Sequence, residues 1–193
     1  LTAKGFGFIA AGQVDELPGV SAAVVALSPR SVELSDDRTT AAVLAGNGAV
    51  TRVDAAGPAA LDQRAGLIAP SIDPFGYIWS VPQTSPSALV AAGTGATRIA
   101  ISSPWGGASR VDALQVSRDG TRIAALVISG GRSVLMVAGV VRDAQGVPKS
   151  LGDAVTLLSF PAGASDVAWL DETTLGVISG SGSSAQFTTV QIG

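Results

Sequence analysis

Four aspartates, Asp36, Asp73, Asp119 and Asp171, recur along the chain at intervals of 37, 46 and 52 residues. Carboxylates gathered in one cleft can hold a divalent cation or divide acid and base roles between them. The surroundings of these four point elsewhere. Each lies between two apolar runs, as in VELSDDRTTAAVL at 32–44 and LQVSRDGTRIAAL at 114–126. Asp in that setting accepts hydrogen bonds from nearby backbone N–H groups and closes a tight turn. Turns in separate repeats also keep their carboxylates apart. Asp171 and Glu172 are adjacent, and neighbours at a strand end point in different directions. A glycosidase pair needs a defined separation across one cleft, so a solvated turn is the better reading. Asp143, in DAQG at 143–146, has only a trace of a calcium loop, without its further acidic ligands.

The rest of the inventory is poor in catalytic groups. Histidine and cysteine are absent, which removes the commonest general base and the thiolate metal ligands. The serines of SGSGS at 179–183 form a flexible loop rather than a nucleophile elbow. The glycine pairs complete no dinucleotide fingerprint between a strand and a helix. No catalytic residue, cofactor site or metal site is expected. With 12 Lys and Arg against 15 Asp and Glu, the net charge is −3 and no basic cluster offers a nucleic-acid footprint. The chain is 47% hydrophobic, mainly through Ala and Val, which argues against disorder. Its densest apolar stretch, 134–141, is far shorter than the roughly 18–20 residues of a spanning helix.

The elements that carry these turns follow from the repeat. An apolar run, an Asp-bearing turn and a second apolar run recur at 32–44, 71–81, 114–126 and 167–178. The interval suits propeller blades of roughly 40–50 residues and exceeds that of leucine-rich repeats. Gly130-Gly131 and Asn47-Gly48 supply hairpin chemistry, because Gly and Asn tolerate positive φ. Gly57-Pro58 interrupts the alanine-rich stretch 54–65 and argues against a helix there. The expected fold is all-β: a β-propeller of four-stranded antiparallel blades, about four of them, forming part of a larger ring. The blades are placed at about 28–66, 67–110, 111–163 and 164–193, after a remnant at 1–27 whose segments 6–11 and 22–27 read as strands. The first and last blades should expose apolar faces unless the ring closes at four or partners cover them. The start at Leu1 rather than Met reads as a piece of a longer protein.

Three tryptophans punctuate this frame. Trp79 and Trp169 lie inside strands, where packing between blades is expected. Trp105 lies in SPWGGASR at 103–110, a loop joining one blade's outer strand to the next blade's inner strand. Such loops sit on a propeller face, and Trp and Arg are enriched in binding hot spots. Trp105 and Arg110 are therefore the candidate partner-binding residues, with packing as the other role open to Trp105.

Several segments together resemble the β-propeller region of the actinobacterial LpqB lipoproteins. They are SPRSV at 28–32, APSIDPFGYIWSV at 69–81, PW at 104–105 with VDALQVSRDG at 111–120, VAGVVRDAQG at 137–146 and DVAWLDETTL at 166–175. The Ser-x-Asp-Gly element alone occurs in many propellers; the ordered set is far more specific. Ile72 departs from the aromatic residue usual at that point of the family.

The resemblance implies a non-catalytic propeller, held at the extracytoplasmic face of the membrane by a lipid anchor outside this chain. It implies binding to the extracellular domain of a sensor histidine kinase of the MtrAB system, in envelope and division signalling. The alternative is a propeller that binds or processes cell-wall glycans, since one fold hosts many activities. Carboxylates clustered with an aromatic platform at the axial channel would favour that alternative. A third possibility is a spacer that positions upstream modules.

Overall fold

The computed structural model describes residues 7–10, 13–17 and 19–192. Four antiparallel sheets stand side by side about a common axis, as propeller blades do. The first contains β3 (Ser31–Leu34), β4 (Ala41–Leu44), β5 (Val50–Asp54) and β6 (Gly57–Asp62). The second contains β7 (Ser71–Ile72), β8 (Ile78–Ser80), β9 (Ala88–Ala92) and β10 (Arg98–Ser102). The third runs through β11 (Arg110–Val116), β12 (Arg122–Ser129), β13 (Arg132–Arg142) and β15 (Val155–Phe160), with β14 (Pro148–Leu151) added beside β13. The fourth holds β16 (Ala164–Trp169), β17 (Thr174–Ser179) and β18 (Gln186–Gln191). Before them lie a hairpin, β1 (Gly7–Ala10) with β2 (Gln13–Glu16), and one helix, α1 (Ser21–Ala26).

Burial on both faces explains the apolar runs. Successive strand residues point to opposite sides, so a strand between two neighbours is apolar throughout. In β4, Ala42 and Leu44 join the core toward the second sheet, while Ala41 and Val43 pack the other way. In β12, Ile123, Ala125 and Val127 face the second sheet, and Ala124 and Leu126 face the fourth.

The segment 22–27, expected as a strand, is largely helical. Its Val24 and Val25 favour a strand locally, but Leu17, Val20 and Val24 form one buried stripe at helical spacing. That stripe packs on Ala41, Val43 and Val53, so α1 covers the outer face of the first sheet. Tertiary burial overrides local propensity here. In the segment 6–11, residues 7–10 form β1; Phe6 and Ala11 lie outside the described residues. No helix among the described residues is long and apolar enough to cross a membrane.

Among the described residues, nothing covers the fourth sheet on the side away from the third. Ile178 and Phe187 are cross-strand partners there and are 43% and 62% exposed, with Leu170 also exposed beside them. The expected apolar end face is thus present at the last sheet, whereas α1 covers the corresponding face of the first.

The turns behave as Asp-closed turns. Ser117 Oγ donates to Asp119 at 2.6 Å, and Thr121 N–H donates to the same carboxylate at 3.0 Å. In the first repeat the equivalent residue is Asp37, which accepts from Ser35 Oγ and Thr39 N–H, not Asp36. Asp171 accepts from Thr173 N–H at 2.8 Å. Asp73 and Asp143 use another version, each accepting from the N–H groups two and four residues ahead. Gly120 and Gly146, with φ of +70° and +78°, end their turns against the Phe75 ring. A Cβ at either would lie within 2.8 Å of that ring.

Candidate functional site

The first strands of the four sheets, β3, β7, β11 and β16, converge on one axial cavity of about 360 Å³. A single acidic side chain organises it. Glu33 projects from β3 and accepts hydrogen bonds from Ser71 Oγ at 3.1 Å, Ile72 N–H at 3.2 Å and Gln115 Nε2 at 3.1 Å. Ser71 Oγ in turn accepts from Val116 N–H at 3.0 Å, and Gln115 O accepts from Trp169 Nε1 at 3.1 Å. The chain of bonds crosses all four sheets. Burial pushes the Glu33 carboxyl up to about 7, against the lowering effect of its three donors and with a smaller push from Asp36.

Asp36, Asp73, Arg118, Asp166 and Trp169 also line the cavity. Asp73 is already committed within the protein. It accepts from Trp79 Nε1 at 2.8 Å and is ion-paired with Arg142 at 2.6 Å. Trp169 is 7% exposed and its indole N–H is used on the Gln115 backbone, so little of the ring is open as a platform. The four repeat aspartates divide accordingly. Asp36 and Asp73 border the axis, Asp73 closing its turn as well, while Asp119 and Asp171 close turns without lining the cavity. Among the described residues no group of three or more acidic side chains is placed to hold a metal ion.

Trp105 and Arg110 lie at the other end of the blades. Trp105 is only 2% exposed, packed in the core shared by the second and third sheets. Its ring packs into that core, and the residue also borders a cavity between the loops at 82–87 and 103–108. Its indole N–H has no hydrogen-bond partner among the described residues. Arg110 is exposed, and its Nε lies 2.7 Å from Asp112. Asp112 also accepts from Gln83 Nε2 at 3.0 Å, tying the loop at 82–87 to the start of β11. Between that loop and residues 103–108 opens a cavity of about 350 Å³, bordered by Ser85, Pro86, Gly106 and Gly107.

Glu33 and Gln115 were not singled out by the sequence reading. One signal was available: a carboxylate between Val32 and Leu34, inside the first strand of a repeat whose neighbours are apolar.

The model of the family described as "Lipoprotein LpqB beta-propeller domain" matches residues 9–192. The chain belongs to the LpqB β-propeller family. That places it among lipoprotein propellers, as the five segments indicated. No curated protein matches it. Among solved structures it is similar to hydrazine synthase of Kuenenia stuttgartiensis, at 16% identity and a TM-score of 0.58, covering 96% of this chain and 49% of that one. It is also similar to Hsv2 of Kluyveromyces marxianus, at 14% identity and a TM-score of 0.52, covering 77% and 48%. At these identities the likeness concerns the fold alone. The LpqB-family chain spans about half the length of the structures it matches.

Proposed function

We propose that this LpqB-family propeller is a non-catalytic docking module of a membrane-anchored extracytoplasmic lipoprotein. Its partner in this reading is the extracellular domain of a sensor histidine kinase of the MtrAB type, whose signalling it tunes. The family match over residues 9–192 carries the reading. The docking surface is the face bearing the loops at 82–87 and 103–109. The cavity between them gives that face relief, and the pairing of Arg110 with Asp112 holds a cation at its edge. Trp105 serves as a positioning residue that keeps the loop in shape.

The test is a calorimetric titration of the complete extracytoplasmic protein with the kinase sensor domain from the same organism. Saturable one-to-one binding, weakened several-fold by Arg110→Ala, supports the reading. No heat and no co-elution would overturn the partner. Full binding by Arg110→Ala would move the surface elsewhere.

One observation favours a second reading, a small polar ligand such as a cell-wall glycan fragment. The axial cavity is lined by Glu33, Asp36, Gln115 and Asp166. Titration with muropeptides separates the two readings, because glycan binding would respond to changes at Gln115 and not at Arg110.

A further inference from the structure

We propose that Glu33 is a proton-operated latch on the propeller axis: ionised, it fastens the first sheet to the second and third, and protonated, it lets go of Gln115. The inference rests on the axial hydrogen bonds and does not depend on the docking partner.

All three groups around the carboxylate are donors. Oε1 receives Ser71 Oγ–H and Ile72 N–H, and Oε2 receives Gln115 Nε2–H. Such a shell matches an anion, because a carboxylate is an acceptor at both oxygens. Protonation puts an O–H into it. At Oε1 the new hydrogen would meet two donors, one of them a backbone N–H fixed in β7. At Oε2 it meets one donor, a side-chain amide that can rotate. The proton therefore goes to Oε2, and Gln115 must turn its carbonyl oxygen inward or swing into the cavity. The cavity supplies both the room and the route for the proton from solvent.

Burial sets where this happens, since it holds the Glu33 carboxyl at about 7. The charged groups lining the same cavity come from every strand end around it. Asp36 stands in the turn after β3, Asp73 after β7, Arg118 after β11, and Asp166 on β16. Asp73 is neutralised by Arg142, and Asp36 disfavours the ionised form of Glu33. Gln115 stands where the latch reaches furthest, because its backbone carbonyl oxygen accepts from Trp169 Nε1 of the fourth sheet.

The experiment is a carboxyl-carbon NMR titration of the full chain from pH 4 to 9, with amide spectra recorded in parallel. Glu33 is expected to titrate near 7, and the Gln115 side-chain NH2 and the Ile72 N–H signals to move with the same midpoint. Glu33→Gln should remove that transition from all three. Gln115→Ala, which deletes a donor to the anion but leaves Glu33 in place, should raise the midpoint by about one unit. It keeps the test decisive if Glu33→Gln misfolds. A Glu33 midpoint in the ordinary carboxylate range would overturn the proposal, as would a Gln115 signal indifferent to it or a transition that survives Glu33→Gln.

Discussion

Arg142, at the end of β13, places its guanidinium 2.6 Å from the fully buried carboxylate of Asp73, which lies 69 positions earlier in the chain. The same side chain lies 4.3 Å over the Phe75 ring and donates to the carbonyl oxygens of Gly120 and Gly146. One cation thus joins the second sheet to the third and satisfies two turns. Removing one partner of a buried pair leaves an uncompensated charge. Arg142→Ala should therefore lower stability by about 3–5 kcal/mol, read from urea unfolding. A loss below about 1 kcal/mol would mean that the pair is interchangeable with solvent.

Glu33 makes stability depend on pH in an unusual sense. Its folded carboxyl is raised to about 7 from an ordinary 4.5, so between those values the folded state holds a proton that the unfolded state has released. Stability from this group is full below about 4.5 and is lost as pH rises through about 7. The loss is on the order of 2 kcal/mol, allowing for partial access of solvent through the cavity. Denaturant midpoints of the wild type should fall relative to those of Glu33→Gln across that window. Parallel curves would show that Glu33 titrates normally.

Trp105 should behave as a core residue with a surface consequence. Trp105→Ala opens a cavity between the second and third sheets and should cost about 3–5 kcal/mol. Trp105→Phe keeps most of the apolar ring and discards an indole N–H that bonds nothing among the described residues, so its cost should be much smaller. If docking uses the loop at 103–109, partner affinity should fall with Trp105→Ala far more than with Trp105→Phe, measured below each variant's unfolding temperature.

Asp119 stabilises its turn as an anion. Burial is the largest single influence and raises its carboxyl, but the bonds from Ser117 and Thr121 together outweigh it and hold the group below its usual value. Asp119→Ala should cost about 1 kcal/mol near neutrality. The difference from wild type should shrink as pH falls from about 4, where the unfolded carboxylate takes up a proton, down through the lower folded value. A cost that persists unchanged at pH 2 would place the effect in the backbone instead.

Phe187 is the most exposed large apolar side chain of the bare fourth sheet. Phe187→Ser should leave the thermal midpoint within about 2 °C, because surface changes stay within about 0.5 kcal/mol. It should also reduce concentration-dependent light scattering. Unchanged scattering would show that the exposed side is not adhesive.

The repeat of turn and apolar run was legible because each turn needs its aspartate and each inner strand needs apolar residues on both faces. Two features were hidden for physical reasons. The helix α1 is written in alanine and valine, and only its packing on Val43 and Val53 selects a helix over a strand. β14 was not anticipated, because β13 is long enough to pair with β15 along Val134 and Leu135 and with β14 at Val140 and Val141. Nothing local announces a strand that serves two partners. The candidate surface was half legible. Loop chemistry pointed to Trp105 and Arg110, but exposure is a property of neighbours, and the neighbours bury Trp105. Glu33 was the harder case, since its importance comes from Ser71 and Gln115, which lie 38 and 82 positions away.

The helix on one flank and the bare sheet on the other give this row of blades a direction. At the covered flank a change at Val24 or Val43 disturbs the buried packing of the fold. At the open flank Ile178 and Phe187 lie in solvent, so a change there has little of the fold to disturb. The same substitution made at the two flanks should therefore register in different ways, as a loss of cohesion at the first and as altered company at the last.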